Sequence, residues 1–181
     1  MKQKIKNKTV VLGVTGSIAA YKAVELLRLM QGKGFDVRVV MTRSATEFVT
    51  KLTFSTLSQH PVGVEMFGEV EDWQPGHISL ADAADVMVIA PCTANVIAKI
   101  AHGIADDLLT CTVLATEAPI VIAPAMNVKM WNNAATQANL KIIKSRGISV
   151  VDPGTGDLAC GYQGKGRMAS LDKILSAVEA C

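Results

Sequence analysis

Residues 122–131 have the sequence IAPAMNVKMW, which passes from a strand to a helix through one polar turn. The apolar run at its start is typical of a buried strand, and Asn127 is a favoured N-cap residue before a helical segment that carries Met130 and Trp131. Open α/β sheets bind their ligands where strands end and helices begin. We therefore expect this segment to lie at the ligand-binding edge of a sheet.

Strand-like and helix-like segments alternate along the rest of the chain. Apolar runs predict strands at residues 9–15, 35–41, 61–66, 86–90, 120–123 and 148–151. Helical spacing and capping residues predict helices at residues 18–33, 45–58, 78–84, 93–101, 105–115, 127–146 and 170–179. The alternation predicts an α/β fold, with a doubly wound, mostly parallel sheet and helices on both faces, as in flavodoxin-like and Rossmann-like three-layer sandwiches. We expect residues 1–181 to form one domain, with residues 1–8 as a polar tail.

The composition excludes several classes of function. The chain has 181 residues, half of them apolar, and a net charge of +2. Its only basic cluster, Lys2 to Lys8, is expected to be a solvated tail, so nucleic acid is not an expected partner. Residues 1–8 are polar and no apolar run approaches the roughly 18 residues of a membrane span, so a cytoplasmic protein is expected. The four cysteines form no CxxC pair and the three histidines are widely spaced, so no metal site is expected.

Small and hydroxyl-bearing residues follow three of the predicted strands. Residues 13–19 (GVTGSIA) form a strand-to-helix turn whose amides and Ser17 hydroxyl would suit a phosphate, although a plain tight turn has the same pattern. The segment matches neither GxGxxG nor the Walker motif. Residues 42–45 (TRSA) and 91–95 (PCTAN) end two further strands. Three such strand ends on one edge favour a phosphate-bearing ligand.

Four residues are candidates for chemistry, and each has a plainer interpretation. His77 opens a short helix and is either a base near the ligand or a solvent-facing residue. Asn127 is either a helix cap or a group that binds a carboxylate or amide, and Met126 either packs in the core or lies against a flat ring. Cys160 lies in a glycine-rich loop, residues 152–168, where a thiol can act as proton donor or nucleophile. Cys92 and Cys111 are expected in the core.

Three motifs together resemble a known family. The segments HISL at 77–80, PAMNVKMW at 124–131 and LACGYQGKGRM at 158–168 resemble the flavin-dependent cysteine decarboxylases. They are most similar to the phosphopantothenoylcysteine decarboxylase branch, a carboxy-lyase activity of coenzyme A biosynthesis. The resemblance implies conversion of 4'-phosphopantothenoylcysteine to 4'-phosphopantetheine and CO2, through oxidation to a thioaldehyde, loss of CO2 and re-reduction of the enethiol.

The resemblance also implies a cofactor, site residues and partners. FMN is implied, and its binding residues would be Gly16, Ser17, Ile18, Ser44, Thr93, Ala94, Asn95, Ala125 and Met126. Substrate contacts would come from Asn127, Met130, Ala159, Gly164 and Arg167. His77 would be a base or orienting group, and Cys160 would donate a proton to the enethiol. A homotrimer or dodecamer with shared active sites is implied, together with a ligase domain or partner.

One departure and several alternatives accompany the resemblance. Tyr162 lies in the predicted substrate loop and stands where the commoner coenzyme A form has an acidic residue. Other enzymes of the same fold are alternatives, namely a peptidyl-cysteine decarboxylase or a flavin prenyltransferase, and so is a non-catalytic FMN-binding interaction protein. A nucleotide-dependent oxidoreductase ranks lower, because no acidic residue is placed to bind a ribose. The end at Cys181 leaves open a monofunctional protein or a domain excised from a bifunctional one.

Overall fold

A computed structural model of the chain describes residues 8–67, 76–157, 161 and 163–181. The strands are β1 (Thr9–Val14), β2 (Asp36–Met41), β3 (Val62–Gly63), β4 (Val86–Cys92), β5 (Ile120–Pro124), β6 (Ser149–Val150), β7 (Gly154–Asp157) and β8 (Gln163–Arg167). The helices are α1 (Ala20–Gly32), α2 (Lys51–Ser58), α3 (Gly76–Ala83), α4 (Ala94–His102), α5 (Leu108–Ala115), α6 (Val128–Asn132), α7 (Ala134–Ser145) and α8 (Leu171–Glu179). No helix within the described ranges is both long and apolar enough to cross a membrane.

The first six strands form one parallel sheet in the order β3-β2-β1-β4-β5-β6. Strands β1 and β4 lie side by side at its centre and are buried along their whole length. Their near-continuous apolar sequences fit this position, because a central parallel strand is covered on both faces. The order reverses between β1 and β4, which creates the switch point of a doubly wound sheet.

Each face of the sheet carries its own apolar core. On one face, α1, α2 and α8 pack against the sheet, with Leu27, Phe54 and Ile174 fully buried. On the other, α4 and α7 contribute Ile97 and Ile143, while α3 and α5 pack against each other nearby. The predicted three-layer α/β fold is thereby confirmed.

Two predicted helices are interrupted in the structure, and the strand predicted at 61–66 is only the two residues of β3, Val62–Gly63. The helix predicted at 45–58 is a short 3-10 turn, Arg43–Ala45, followed by α2, whose N-cap Thr50 accepts the Thr53 N–H at 3.4 Å. Thr50 favours capping over a helix interior, because its hydroxyl can replace a missing backbone partner. The helix predicted at 127–146 is broken at Asn133, whose side chain accepts the Ala135 N–H at 2.9 Å and begins α7.

The glycine-rich segment at 152–168 is not simply a loop. Strands β7 and β8 pair in antiparallel fashion outside the main sheet, with Gly156 opposite Gly164. Composition alone predicted irregular structure, because glycine weakens strands. In the structure, the glycines of β8 allow its backbone to lie close to the segment that leads from β5 into α6.

Candidate functional site

A cavity of about 620 Å³ opens at the carboxyl ends of β1, β4 and β5. It lies at the switch point of the sheet, which is where open α/β folds bind ligands. The walls come from the segment after β1, the segment after β4, the passage from β5 into α6, and the end of β8. The lining residues are Gly16, Ser17, Ile18, Ala19, Tyr21, Lys22, Thr93, Ala94, Ala125, Met126, Asn127, Met130, Gly166, Arg167 and Met168.

A buried threonine fixes the first two of these segments relative to each other. The Thr15 hydroxyl donates to the Pro91 carbonyl at 2.8 Å and accepts the Thr93 N–H at 3.1 Å. Thr15 is fully buried. Because a buried hydroxyl that donates and accepts satisfies two backbone groups at once, it sets the spacing of both loops at the cavity.

The loop after β1 lies directly against the residues that follow β2. A Cβ atom on Gly16 would stand 2.5 Å from the Ser44 Cβ, so only glycine allows this approach. Ser17 turns the chain into α1, where its hydroxyl accepts the Ala19 N–H at 3.3 Å. Nearby along the chain, the buried Thr42 hydroxyl has no hydrogen-bond partner among the described residues.

The passage from β5 into α6 forms the opposite wall. The Ala125 N–H donates to the Cys92 carbonyl at 3.1 Å, which holds the passage to β4. Asn127 is the N-cap of α6, and its Oδ1 accepts the Lys129 N–H at 2.8 Å. Met130 is 49% exposed at the cavity wall, whereas Trp131 is buried in the apolar core.

Strand β8 packs on that passage through two glycines. The Met126 N–H donates to the Gly166 carbonyl at 3.0 Å, and a Cβ on Gly166 would overlap the Met126 carbonyl oxygen. A Cβ on Gly164 would stand 2.7 Å from the Val128 Cγ2. Side chains at either position would therefore push β8 away from α6.

Lys165, between the two glycines, adds side-chain contacts that hold β8 in place. Its Nζ lies 5.3 Å from the centre of the Trp131 ring and 3.3 Å from the Asp152 Oδ2. The first is a cation–π contact and the second an ion pair on the exposed surface.

The structure brings most of the predicted site residues together in this one cavity. Those that line it are Gly16, Ser17, Ile18, Thr93, Ala94, Ala125, Met126, Asn127, Met130 and Arg167. Ser44 and Gly164 lie just behind the wall, against Gly16 and Val128, while Asn95 is exposed in the first turn of α4. Ala159, Cys160 and Tyr162 lie outside the described residues.

His77 is not part of this cavity within one chain. It is half-buried in the first turn of α3, a helix that packs against α5. In the same helix, Leu80 points toward Gly63 of β3. The structure therefore places His77 with elements that contribute no residue to the cavity wall.

A comparison with known protein families decides the classification. The family described as Flavoprotein matches residues 1–181. The chain belongs to the Flavoprotein family. This membership agrees with the resemblance seen in the three sequence motifs.

Individual Flavoprotein relatives are similar over nearly the whole chain. The coenzyme A biosynthesis bifunctional protein CoaBC of Bacillus subtilis is 46% identical over 175 residues, which are 97% of this chain but 43% of that protein. The chain thus spans less than half the length of this curated relative. A solved structure of a PPC decarboxylase mutant complexed with pantothenoylaminoethenethiol is 35% identical, with a TM-score of 0.85 over 97% of this chain and 98% of that one. The FMN-dependent cysteine decarboxylase SpaF is 32% identical, with a TM-score of 0.84 over 96% and 95%.

The structure of this Flavoprotein family member also adds cavity residues that the sequence analysis missed. These are Ala19, Tyr21, Lys22, Gly166 and Met168. Tyr21 and Lys22 follow Ile18 by three and four positions, which would place the three residues on one face of the helix predicted at 18–33, although the observed α1 begins at Ala20. Tyr21 is 60% exposed, and an exposed aromatic residue on the face next to a predicted ligand loop was the signal that could have identified this wall.

The remaining histidines and cysteines have structural contacts. His60 Nε2 lies 2.6 Å from Asp36 Oδ1, and His102 Nε2 lies 3.0 Å from Asn139 Oδ1. Cys92 is fully buried, and this burial raises the pKa of its thiol far above the ordinary value. Among the described residues, no group of three or more His, Cys, Asp or Glu side chains could hold a metal ion.

Proposed function

We propose that this protein is an FMN-dependent carboxy-lyase that converts 4'-phosphopantothenoylcysteine to 4'-phosphopantetheine and CO2 in coenzyme A biosynthesis. The observation that carries the proposal is the single cavity at the switch point, which collects ten of the predicted cofactor and substrate residues. The bifunctional coenzyme A relative and the PPC decarboxylase structure support the same activity.

The residues at the cavity fit FMN. The cavity has a volume of about 620 Å³, which lies within the usual range for cofactor sites. Gly16 leaves no side chain between the loop and Ser44, and the Ser17 and Ser44 hydroxyls border this turn at the start of α1. The unpartnered Thr42 hydroxyl is a further polar group at this strand end. We assign the FMN phosphate to this corner, and the ring to the wall formed by Ala125 and Met126.

When bound, FMN would supply the reversible two-electron oxidation of the carbon that bears the substrate thiol. That oxidation makes decarboxylation feasible, because the electrons left by CO2 can then delocalise onto sulfur. The protein's own task is to bind the cysteine end, exclude water and place protons.

Asn127 is proposed to hold the carboxylate or the adjacent amide of the substrate. Its Oδ1 accepts the Lys129 N–H, so the amide nitrogen is the part of the side chain suited to donate to a substrate oxygen. Met130 and Arg167 line the same cavity and are proposed substrate contacts, with Gly164 and Ala159 on the adjoining segment.

His77 is proposed to act at the cavity of another copy of the chain. It contributes nothing to the cavity of its own chain, although the resemblance assigns it the role of base or orienting group. A homotrimer, alone or stacked into a dodecamer, would resolve this separation by sharing each site between two subunits. Phosphopantothenoylcysteine synthesis would come from a ligase domain or partner, which is consistent with a relative that is a bifunctional protein of coenzyme A biosynthesis.

Cys160 is proposed to donate the proton needed when the enethiol is reduced to the saturated thiol. A mutant of the PPC decarboxylase relative was solved with pantothenoylaminoethenethiol, a ligand of the enethiol class. Such a complex fits an enzyme in which decarboxylation and reduction of the enethiol are separate steps.

A decarboxylase that acts on another cysteine compound, such as a peptidyl cysteine, is the second candidate, because the FMN-dependent cysteine decarboxylase SpaF is almost as similar in structure as the PPC decarboxylase. The substrate separates the two. A peptide with a C-terminal cysteine should release little CO2, whereas 4'-phosphopantothenoylcysteine should release it stoichiometrically.

The proposal is tested with Cys160→Ser, using Cys181→Ser as the matched control. Cys160→Ser should still bind FMN and release CO2 but should accumulate the enethiol instead of 4'-phosphopantetheine, as followed by mass spectrometry. Loss of all CO2 release in Cys160→Ser, with normal release in Cys181→Ser, would contradict the assignment of Cys160 to the reduction step.

Site sharing is tested by mixing two inactive variants. His77→Asn and Asn127→Ala should each lose turnover, and His77→Asn should retain FMN. After subunit exchange, mixed oligomers should recover part of the activity. Some of their sites would then contain an intact His77 from one subunit and an intact Asn127 from another. Absence of recovery, with exchange verified by native mass spectrometry, would place both residues in one subunit's site.

A further inference from the structure

A second cavity, of about 680 Å³, adjoins the proposed active site. The two cavities share Tyr21, Lys22, Arg167 and Met168 in their walls. The second cavity continues past α1 to the start of β7 and the start of α8. The shared wall makes it an extension of the first cavity.

The charged residues of this second cavity are mostly cationic. Lys22, Arg167 and Lys173 line it, opposed by Glu25 and Asp152. Asp152 is already paired, since the Lys165 Nζ lies 3.3 Å and the Lys144 Nζ 3.7 Å from its carboxylate oxygens. Three lining cations against the one remaining carboxylate, Glu25, leave an excess of two positive charges on the wall.

These cations are available to a ligand. Within the part of the chain that the structure describes, no carboxylate lies at ion-pair distance from Lys22, Arg167 or Lys173. Concave surfaces lined by one sign of charge concentrate ions of the opposite sign. Arginine adds planar, bidentate recognition, which suits phosphate oxygens.

We propose that the second cavity binds the 4'-phosphate of the substrate through Lys22, Arg167 and Lys173. This inference rests on the proposed function, because a phosphopantothenoyl substrate carries its phosphate at the end opposite to the reacting cysteine. With the cysteine held at Asn127, the chain of the substrate would run along the shared wall, and the phosphate dianion would meet the two excess positive charges.

Lys173 distinguishes this phosphate from that of FMN. Lys22 and Arg167 line both cavities, so they could contact either phosphate, whereas Lys173 lines only the second. Loss of the Lys173 charge should therefore weaken the binding of phosphorylated pantetheine compounds and leave the FMN affinity unchanged.

The test uses the FMN-loaded protein and two products that differ only in the phosphate. Calorimetry would measure the affinity for 4'-phosphopantetheine and for pantetheine in the unmodified protein, in Lys173→Gln and in Lys141→Gln. Lys141, an exposed residue of α7 outside both cavities, is the matched control. One charged contact to phosphate at an exposed site corresponds to a change of at most about fivefold in affinity.

We expect the unmodified protein and Lys141→Gln to prefer 4'-phosphopantetheine. Lys173→Gln should lower that affinity by up to about fivefold, with pantetheine binding unchanged and the difference reduced at high salt. Equal binding of the two products by the unmodified protein, equal weakening of both by Lys173→Gln, or weakened FMN binding in that variant would overturn the inference.

The same samples separate this inference from the proposed function. CO2 release from 4'-phosphopantothenoylcysteine together with Lys173-independent product binding would refute the phosphate site alone. Phosphate-selective, Lys173-dependent binding without CO2 release from any substrate would support the phosphate site and refute the decarboxylase.

Discussion

Two walls of the same cavity are held in place by different forces. The first, here called the rim wall, consists of the segments that follow β1, β4 and β5, and buried strands and buried hydrogen bonds position it. The second, the hairpin wall, is the β7–β8 pair, which lies outside the main sheet. It contacts the rim wall through glycine backbone and through the exposed side chain of Lys165.

The difference separates two tasks of a binding site. A cofactor that stays bound needs a wall that does not move, and the buried hydroxyl of Thr15 supplies such rigidity at the rim. A substrate must enter and leave, and a two-stranded ribbon with few buried contacts is a structure of low local stability. We therefore associate the rim wall with FMN and the hairpin wall with substrate.

The largest effect is expected where the two walls touch through backbone. Gly166→Ala would force the new Cβ against the Met126 carbonyl, so β8 must shift; we expect a loss of about 2 kcal/mol in the free energy of unfolding and a strong loss of turnover. Urea unfolding and CO2 release measure the two effects. Gly32→Ala is the control, because its Cβ meets nothing within 4 Å. Equal behaviour of the two variants would show that glycine at position 166 is not needed for the contact.

A smaller effect is expected inside the rim wall. Thr15→Val keeps the shape but leaves the Pro91 carbonyl and the Thr93 N–H without their partner, which should cost about 1.5 kcal/mol. Thr42→Val removes a hydroxyl that has no partner among the described residues, so it should be neutral or stabilising in the FMN-free protein. Equal destabilisation by the two substitutions, in urea titrations, would contradict the role given to Thr15.

The smallest effect is expected on the exposed side of the hairpin wall. Lys165→Gln removes the contacts with Trp131 and Asp152, and exposed contacts of this kind contribute less than about 1 kcal/mol. The loss should diminish in high salt, as measured by thermal unfolding at two ionic strengths. A salt-independent loss larger than that of Gly166→Ala would reverse the ranking of the contacts that hold the hairpin.

The rim wall was largely predictable from the sequence. Residues 86–90 and 120–123 are continuously apolar, which indicates central parallel strands, and Asn127 was recognised as the residue that begins the next helix. Since parallel strands end at one edge, the loops after them had to converge. The break at Asn133 was missed, because its capping hydrogen bond competes with a helical pattern that continues on both sides.

The hairpin wall and α3 could not be placed in the same way. The glycines at 164 and 166 indicated irregular structure, and only the tertiary contact with α6 explains why they pair as a strand. His77 was recognised through a motif, yet no local pattern says which cavity a residue reaches, and the structure places it outside the cavity of its own chain. Tyr21 and Lys22 were missed because the apolar periodicity of a helix identifies its buried face, and neither residue belongs to the buried face of α1.

The most direct test of the central claim is an anaerobic absorbance measurement on the FMN-loaded protein mixed with 4'-phosphopantothenoylcysteine, with CO2 quantified in the same sample. We predict that the oxidised flavin absorbance falls transiently and then recovers as one CO2 per substrate is released. A protein that does not take up FMN, or that releases CO2 while its flavin absorbance stays constant, would contradict the account.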